Sequence, residues 1–471
     1  MRARILALLA GAIMIALSVA SGCLRNIVRD PDRCNEEFLC ENGRICYQYR
    51  CVTDLPDGAD RDGIIMSDGM TVTCANSAAC SDDVPICAAQ TCRKCMGSGD
   101  DLECSKHDPQ APYCNAPSGK CVPCLVTAHC ANPTPICDSS LTCRTCQTHV
   151  ECPTRVCKSD GTCASPNEVA TVNKEVACSD TMGNPYCQIQ PALATGKPYI
   201  AVYGSTTSYQ GVTLSASATT DLVVAIIGPG RAAVPPATVE GSSAPAVAVS
   251  SLVTRTTNVT LDGLHIIGSG GANKNAGVRC SPVAGTAIVT VKNCAIHDSG
   301  LSGVDSNACT LTLDANLIGP ANAGGGVKLA MTPYTITNNI IFENGNSGRA
   351  VTMDDPSDGA FTFNTVALNQ ATAGIGGIEC GAGGQKKIES SILLMNSGAM
   401  QAGPQCTLTN TVTSGTINFE NGYRLKKNDT ANKACCVDKI TNPIAPNSNH
   451  DIDQTRRPQG NAHDIGAHEV E

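Results

Sequence analysis

One short sequence phrase returns six times between Val259 and Gly398, and it constrains the fold more than any other feature. In each copy an aliphatic or aromatic residue is followed by four variable residues and then by Ile or Leu, and successive copies begin 22 to 30 residues apart. A period in this range is typical of a solenoid, whose units are too small to bury an apolar face alone and stack on one another. The copies begin at Leu261, Val291, Leu313, Ile336, Phe363 and Ile388.

A second phrase lies between copies of the first and alternates apolar with polar residues. It reads Gly-Val-Arg-Cys at 277–280 and Gly-Val-Asp-Ser at 303–306, and it returns at 326–329, 350–353 and 377–380. This alternation indicates short strands with one buried face. Two strands in each turn and corners rich in Gly, Asn and Ser predict an all-β parallel β-helix of about nine turns. A leucine-rich repeat would need a shorter unit and a regular Leu pattern, which the sequence lacks.

Polar and sulfur-containing side chains also recur with this period. Asparagines at similar positions in successive copies favour a stack of amides that bond one turn to the next, rather than catalysis. They are Asn293, Asn316, Asn338 or Asn339, and Asn364. Cysteines at inward positions of the alternation are expected to be core fillers or bridges rather than nucleophiles. These are Cys280, Cys294 and Cys380.

Residues 1–22 have the pattern of an export signal. Two arginines precede the apolar run Ile5–Ala20, which is shorter than the ~20 residues that a membrane-spanning helix requires. The next residues, Ser-Gly-Cys23, resemble the lipobox of bacterial lipoproteins, although Ala20 stands where Leu is usual. This resemblance implies that Cys23 is lipidated, that residues 23–33 form a tether, and that acyl chains hold the protein on a membrane. The alternative is an ordinary signal peptide followed by an incidental cysteine.

The expected location and the net charge limit the partners. In well-studied bacterial lipoproteins, a residue such as Leu24 after the lipidated cysteine permits outer-membrane sorting, so we expect a lipid-anchored protein of the outer membrane or cell surface. The chain has a net charge of −9, which disfavours nucleic acid as a partner. The membrane, through the anchor, and an extracellular polysaccharide or surface protein are the partners that we expect.

Residues 34–163 contain five groups of four cysteines, with an acidic linker at 52–73 between the first two groups. The groups begin at Cys34, Cys74, Cys95, Cys124 and Cys146. Units this small cannot be stabilised by apolar burial alone, and an exported chain meets oxidising conditions, so the groups are predicted to be disulfide modules. Four cysteines allow three connectivities, and first-to-third with second-to-fourth is our working hypothesis. The arm resembles the Cys-rich repeats that follow the anchor in bacterial surface lipoproteins.

Zinc is the main alternative for this region. The joints between modules create Cys-x-x-Cys pairs at 92/95, 121/124 and 143/146, and such pairs are often zinc ligands. Each pair crosses a module boundary, however, and thiols in an exported chain oxidise. Both facts favour disulfides.

The two ends of residues 165–471 resemble bacterial right-handed β-helix proteins of the pectin-lyase-like superfamily. The first end has Cys178 and Cys187 around a short loop, then a short helix and the strand 199–202. The other end, Asp-x-x-x-Arg-Pro at 453–458 and Asp-Ile-Gly-Ala-His-Glu at 464–469, resembles the closing motif of choice-of-anchor surface proteins, with His where Tyr is usual. The resemblance implies a right-handed β-helix and a Cys178–Cys187 disulfide. It implies no activity, because the superfamily includes lyases, hydrolases and non-catalytic adhesins.

Five outward residues of the second phrase should form one line across consecutive turns, about 4.8 Å apart. They are Arg279, Asp305, Lys328, Thr352 and Glu379. One interpretation is a ladder of ion pairs that keeps a sheet face soluble. The other is a substrate groove of a polysaccharide lyase or glycoside hydrolase, with Arg279, Asp305, Lys328 and Glu379 as candidate catalytic residues.

Residues beside this line are candidates for the same chemistry. Asp354, Asp355 and Asp358 are candidate calcium ligands, and Arg349 would neutralise a substrate carboxylate. A loop rich in Asp and Gly is also the usual composition of a turn. The sequence contains no nucleophile elbow and no phosphate-binding Gly loop.

These observations favour a non-enzymatic surface lipoprotein whose β-helix binds glycans or proteins, with the polysaccharide-cleaving enzyme as the alternative. Apart from Cys23 the chain has an odd number of cysteines, so at least one is expected to be unpaired. The adjacent Cys435 and Cys436 lie outside every module and are the predicted location of that unpaired thiol.

Overall fold

The computed structural model describes most of the chain from Cys74 onward. The described residues are 45–47, 50–52, 74–181, 183–251, 254–269, 274–345, 348–354, 357–371, 374–383, 386–441 and 449–470. The predicted signal, Cys23, the tether, residues 53–73 of the linker and Asp355 lie outside the described residues. Within the described ranges, no helix is both long enough and apolar enough to cross a membrane.

The chain divides into two compact units. The first contains the described residues up to Cys130 together with Cys137–Cys143, and the second contains Ala131–Ile136 and the chain from Arg144 onward. The fifth cysteine module, 146–163, therefore belongs to the same unit as the solenoid.

The cysteine modules are built on short antiparallel hairpins. The hairpins are β1 (Ile45–Tyr47) with β2 (Arg50–Val52), β3 (Ile86–Ala88) with β4 (Thr91–Arg93), β5 (Tyr113–Asn115) with β6 (Lys120–Val122), and β7 (Ile136–Cys137) with β8 (Cys143–Arg144). Short helical segments accompany them, namely the 3-10 helices Ser77–Ala79, Ser98–Asp100, Thr127–His129 and His149–Glu151, and α1 (Asp101–His107). Elements this short bury little apolar surface, so the modules depend on their cross-links.

The hypothesised disulfide connectivity is confirmed in the four modules whose side chains the structure describes. In each, the first cysteine bonds to the third and the second to the fourth. The bonds are Cys74–Cys87, Cys80–Cys92, Cys95–Cys114, Cys104–Cys121, Cys124–Cys137, Cys130–Cys143, Cys146–Cys157 and Cys152–Cys163. Both cysteines of every Cys-x-x-Cys joint are thus bonded within their own modules, which leaves no thiolates there for zinc. A bridge of this kind typically contributes about 2–4 kcal/mol.

The rest of the chain is a parallel β-solenoid of about eight turns with three strands in each turn. Sheet A contains β9 (Val169–Val172), β10 (Tyr199–Val202), β13 (Leu222–Ile227), β16 (Thr256–Asp262), β19 (Thr286–Lys292), β22 (Thr310–Asp314), β25 (Tyr334–Thr337), β28 (Gly359–Thr362), β31 (Lys386–Glu389) and β34 (Cys406–Thr409). Sheet B contains β11 (Tyr209–Gln210), β14 (Thr238–Glu240), β17 (His265–Ile267), β20 (Ala295–His297), β23 (Leu317–Ile318), β26 (Ile340–Phe342), β29 (Thr365–Ala367) and β32 (Ile392–Leu394). Sheet C contains β12 (Val212–Ser215), β15 (Val247–Ser250), β18 (Val278–Cys280), β21 (Val304–Asn307), β24 (Val327–Ala330), β27 (Val351–Met353), β30 (Ile375–Cys380) and β33 (Met400–Ala402).

The predicted parallel β-helix is confirmed, but each turn has three strands rather than two. The first phrase spans a corner and is not one strand. Leu261 lies in β16 of sheet A, Ile266 lies in β17 of sheet B, and Gly263 turns the chain between them with a φ of 66°. The strands of sheet B have only two or three residues, too few for an alternating pattern to reveal them.

Inward side chains stack in columns along the solenoid. One column of sheet A contains Ile226, Leu261, Val291, Leu313, Ile336, Phe361, Ile388 and Leu408. The first seven are fully buried, and burial of each such side chain contributes roughly 1.5–3 kcal/mol. Leu408, in the last turn, is 41% exposed.

Two asparagine ladders bond successive turns at the corners. The predicted ladder lies between sheets A and B, where the Asn316 backbone N–H donates to Oδ1 of Asn339 (2.9 Å) and the Asn339 N–H donates to Oδ1 of Asn364 (2.9 Å). Asn293 was wrongly included, because Cys294 occupies that position and donates its N–H to Asn316 (3.0 Å). The sequence reasoning missed the second ladder, between sheets B and C. Its members are Asn322, Asn344, Asn369 and Asn396.

The C-terminal segment runs back over the outer face of sheet B. It contains β35 (Phe419–Glu420), β36 (Arg424–Leu425) and α3 (Thr430–Cys435). Its apolar residues form two clusters with outward residues of sheet B: Ile452 and Ala467 pack with Ile340, and Ile417, Leu425, Cys436, Ile440 and Ile465 pack with Ile392 and Leu394. The later strands of sheet B, such as β26 and β32, are therefore covered on both faces, whereas Gln210 in β11 and Glu240 in β14 are exposed.

The remaining described cysteines change one expectation and confirm another. Cys178–Cys187 forms the implied disulfide, and Cys280–Cys309 and Cys380–Cys406 bridge neighbouring turns. The expectation that Cys435 or Cys436 is unpaired was wrong, because the two are bonded to each other. Among the described cysteine side chains the free one is Cys294.

Candidate binding face on sheet C

The chain covers the outer faces of its three sheets differently. The later strands of sheet B lie beneath the C-terminal segment. The first strands of sheet A lie beneath the fifth module, whose Val156 packs in one cluster with Ala201 and Ile227. The outer face of sheet C carries the predicted charged line, hereafter the outer row.

A histidine fixes the fifth module to sheet A. The Cys157 backbone N–H donates to Nδ1 of His149 (3.0 Å), so Nε2 carries the proton and donates to Oδ2 of Asp262 (2.9 Å). Burial acts to raise the pKa of Asp262, but His149, Lys292 and Asn293 together bring it below its ordinary value. The module is therefore held by a buried, fully bonded carboxylate.

The predicted register of the outer row is confirmed. Arg279 lies opposite Asp305, Asp305 opposite Lys328, Lys328 opposite Thr352, and Thr352 opposite Glu379. Successive turns thus present these side chains in one line, as the alternation of the second phrase predicts.

Most of the charged side chains in and beside the outer row form ion pairs with each other. Arg279 Nε lies 3.4 Å from Asp305 Oδ2, and Arg349 Nε lies 2.8 Å from Glu379 Oε2, with side chains that are 28–38% exposed. Lys328 is exposed. Because the pairs are partly solvated, each is expected to contribute no more than about 1 kcal/mol to stability.

Asp354 and Asp358, the two candidate calcium ligands that the structure describes, lie in a turn after β27. The carbonyl of Asp354 accepts the Ser357 N–H (3.0 Å), and Oδ1 of Asp358 accepts the Gly359 N–H (2.9 Å). In the described part of the chain, neither aspartate belongs to a group of three side chains spaced to bind one metal ion. Their contacts are those of a turn.

Residues of the closing motif form a buried cluster of hydrogen bonds around Arg457, hereafter the lock, whose other members are Asp464, Gly466 and Glu469. Arg457 donates through Nη1 to the Asp464 carbonyl (3.0 Å) and through Nη2 to the Gly466 carbonyl (2.7 Å), and Nη1 lies 3.4 Å from Oε2 of Glu469. Its guanidinium also lies over the Phe363 ring, 4.7 Å from the centroid. Burial lowers the pKa of Arg457 and raises the pKa values of Asp464 and Glu469. The motif therefore fastens the C-terminal segment to the solenoid.

One group beside the lock has the composition of a metal site. Side-chain ligand atoms of Asp451, Asp453 and His468 lie within 4.8 Å of one another. Asp451 already accepts three backbone N–H groups, and Asp453 is paired with Arg231 and Arg424. Two guanidinium groups supply the positive charge that a cation would bring. Arg231 lies in a loop without a recognisable motif, and no sequence pattern therefore predicts its role.

Cys294 has the environment of a core side chain. Burial raises the pKa of its thiol to about 12, whereas a nucleophilic thiol requires a lowered value. The prediction of a core filler agrees with this position.

Comparisons with known proteins extend over only part of the chain. The model of a family of unknown function (DUF8331) matches residues 62–169, which hold most of the cysteine modules. Neither the curated proteins nor the solved structures contain a match. The class that the structure defines is a parallel β-solenoid preceded by disulfide-rich modules.

Proposed function

We propose that this chain is a non-enzymatic cell-surface protein that presents the outer row of sheet C to a glycan or to another protein. The observation that carries the proposal is the difference in coverage. The chain's own segments cover the later strands of sheet B and the beginning of sheet A, while Lys328 in the middle of sheet C stays exposed. A regular polar row on a rigid sheet suits recognition of an extended, repetitive partner.

The state of the charges supports binding rather than catalysis. A lyase needs a basic group that is free to take a proton from its substrate, and a hydrolase needs an acid and a base placed around one bond. In the described structure Arg279 and Arg349 are each paired with a carboxylate, and Lys328 is the basic residue of the outer row that stays exposed. The row distributes charge along the sheet and does not concentrate it at one point.

The proposal includes a lipid anchor at Cys23 and membership of the pectin-lyase-like, choice-of-anchor group. The sequence patterns support the anchor, and the disulfide-bonded modules agree with export to an oxidising compartment. The closing motif supports the relationship, since residues of its Arg-Pro and Asp-Ile-Gly-Ala-His-Glu parts form the lock described above.

A binding experiment tests the proposal. The full chain, Lys328→Glu and the control Lys387→Glu would be compared for binding to a panel of uronate-containing and neutral polysaccharides and to intact cells. Lys387 is an exposed outward residue of sheet A, so the control has the same charge change on another face. We expect Lys328→Glu to weaken binding at least tenfold and Lys387→Glu to leave it unchanged.

Two results would overturn this function. Equal binding by all three proteins would show that the outer row does not take part in recognition. Calcium-dependent shortening of a polysaccharide, abolished in Arg349→Ala, would instead support the alternative, a polysaccharide lyase.

A further inference from the structure

The last strand of sheet A has an open edge. β34 pairs in parallel with β31 on one side, and no described strand pairs with its other side. Backbone groups alternate in direction along a strand. Since the Thr409 carbonyl accepts the Ser390 N–H of the preceding turn, the N–H and C=O of Leu408 point away from the solenoid.

The opposite end of sheet A is closed. Beyond the first strand, β9, the Tyr186 N–H donates to the Thr171 carbonyl (2.8 Å) and the Asn173 N–H donates to the Tyr186 carbonyl (2.9 Å). The helix α2 (Ile189–Leu193) covers the core there, with Ile189 fully buried. A second solenoid therefore cannot continue the stack from this end.

Polar side chains at the corners of the last turn are hydrogen-bonded. The outward backbone groups of β34, in contrast, point away from the solenoid. Thr411 Oγ1 donates to the Ile388 carbonyl (2.9 Å), and Gln401 and Asn396 bond each other reciprocally. The Cys380–Cys406 disulfide holds the beginning of β34 to the preceding turn. The open edge is thus a preformed strand with Leu408 exposed at the end of an otherwise buried column.

The composition of this last turn is unusual for an open edge. No charged residue occurs from Ser390 to Phe419, in a chain of which 16% of the residues are charged. Exposed edge strands normally carry charges or Pro that prevent pairing with another chain. An uncharged, preformed edge is expected where pairing is its use.

We propose that β34 pairs with β34 of a second copy of this chain, antiparallel and about a two-fold axis. Identical edges meet only in such an arrangement. Centred on Leu408, it lets the two Leu408 residues exchange both backbone hydrogen bonds and places their side chains together over the open core. Thr407 then faces Thr409 of the other copy, and no like charges are opposed. A heterologous head-to-tail stack is excluded by the closed N-terminal end.

The experiment is sedimentation equilibrium of the full chain in detergent, compared with Leu408→Lys and Leu408→Glu. The wild type is expected to have twice the mass of one chain. Each variant is expected to sediment as one chain, with at least a tenfold weaker self-association. Thr290→Lys, on the outer face of the same sheet, is the control that should remain dimeric.

Mixing the variants separates a self-interface from misfolding. An equimolar mixture of Leu408→Lys and Leu408→Glu should regain the mass of two chains, because opposite charges then meet at the two-fold axis. A monomeric wild type, or a dimer that survives both substitutions, would overturn the proposal. Binding of the outer row to its ligand does not enter this measurement.

Discussion

Sheets B and C are made by the same turns of one chain, yet their outer faces differ in chemistry and in how far the chain covers them. Sheet B presents apolar side chains such as Ile340 and Ile392, which the C-terminal segment buries. Sheet C presents Arg279, Asp305 and Lys328 to solvent. The difference teaches that consecutive apolar residues, as in Ile340-Ile341, mark a sheet covered on both sides, whereas strict alternation marks a sheet with a free face.

The largest expected effect on the free energy of unfolding is at the lock, which fastens the C-terminal segment over sheet B. Arg457→Ala removes a fully buried cation and leaves Glu469 buried without it. Loss of one partner of a buried ion pair typically costs 3–5 kcal/mol, so we expect a decrease of about 4 kcal/mol in the free energy of unfolding, measured with a chemical denaturant. The neighbouring, exposed Arg456→Ala is the matched control. A loss below about 1 kcal/mol would show that the lock does not hold the segment.

An intermediate effect on stability is expected at the buried corner between sheets A and B. Asn339→Ala removes a side chain that bonds to Asn316, Asn364 and backbone carbonyls inside the predicted ladder. Unsatisfied buried groups cost about 1–3 kcal/mol each, so we expect a loss of about 3 kcal/mol in the same assay. The exposed Asn307→Ala should change stability by less than about 0.5 kcal/mol. Equal losses at both positions would contradict a structural ladder.

The smallest effect on the free energy of unfolding is expected in the outer row of sheet C. Asp305→Ala removes the partner of Arg279 in a solvated pair, and exposed pairs contribute about 0–1 kcal/mol. We therefore expect almost no change in unfolding free energy. A destabilisation comparable to that of Arg457→Ala would erase the contrast between the two faces and would mean that the outer row serves stability.

Local patterns were sufficient for much of this architecture. The phrase that begins at Leu261 established the solenoid, and alternation around Arg279 established the outer row, because both depend on side-chain direction along a short segment. The second ladder, beginning at Asn322, was missed because its members lie in loops of variable length between sheets B and C. The strands of sheet B, with two or three residues each, left no periodic signal of their own.

Long-range pairing was harder to anticipate. The sequence indicated that one cysteine has no partner, but it placed the free thiol at Cys435 or Cys436 rather than at Cys294. The prediction rested on the position of Cys435 and Cys436 outside every module, and that position does not reveal a bond between adjacent residues. Likewise, Arg231 meets Asp453 across more than two hundred residues, a contact that only the complete fold brings about.

The buried thiol of Cys294 can be used to measure local opening of the solenoid. Its thiol lies in the column of corner residues, fully buried and out of reach of water-soluble alkylating reagents. Modification of this thiol requires the turns around it to separate, and its rate in native buffer therefore follows the opening of the corner rather than the reactivity of the sulfur. Trapping the thiol over time would reveal whether the middle of the solenoid opens as one cooperative block with its ends or separately from them.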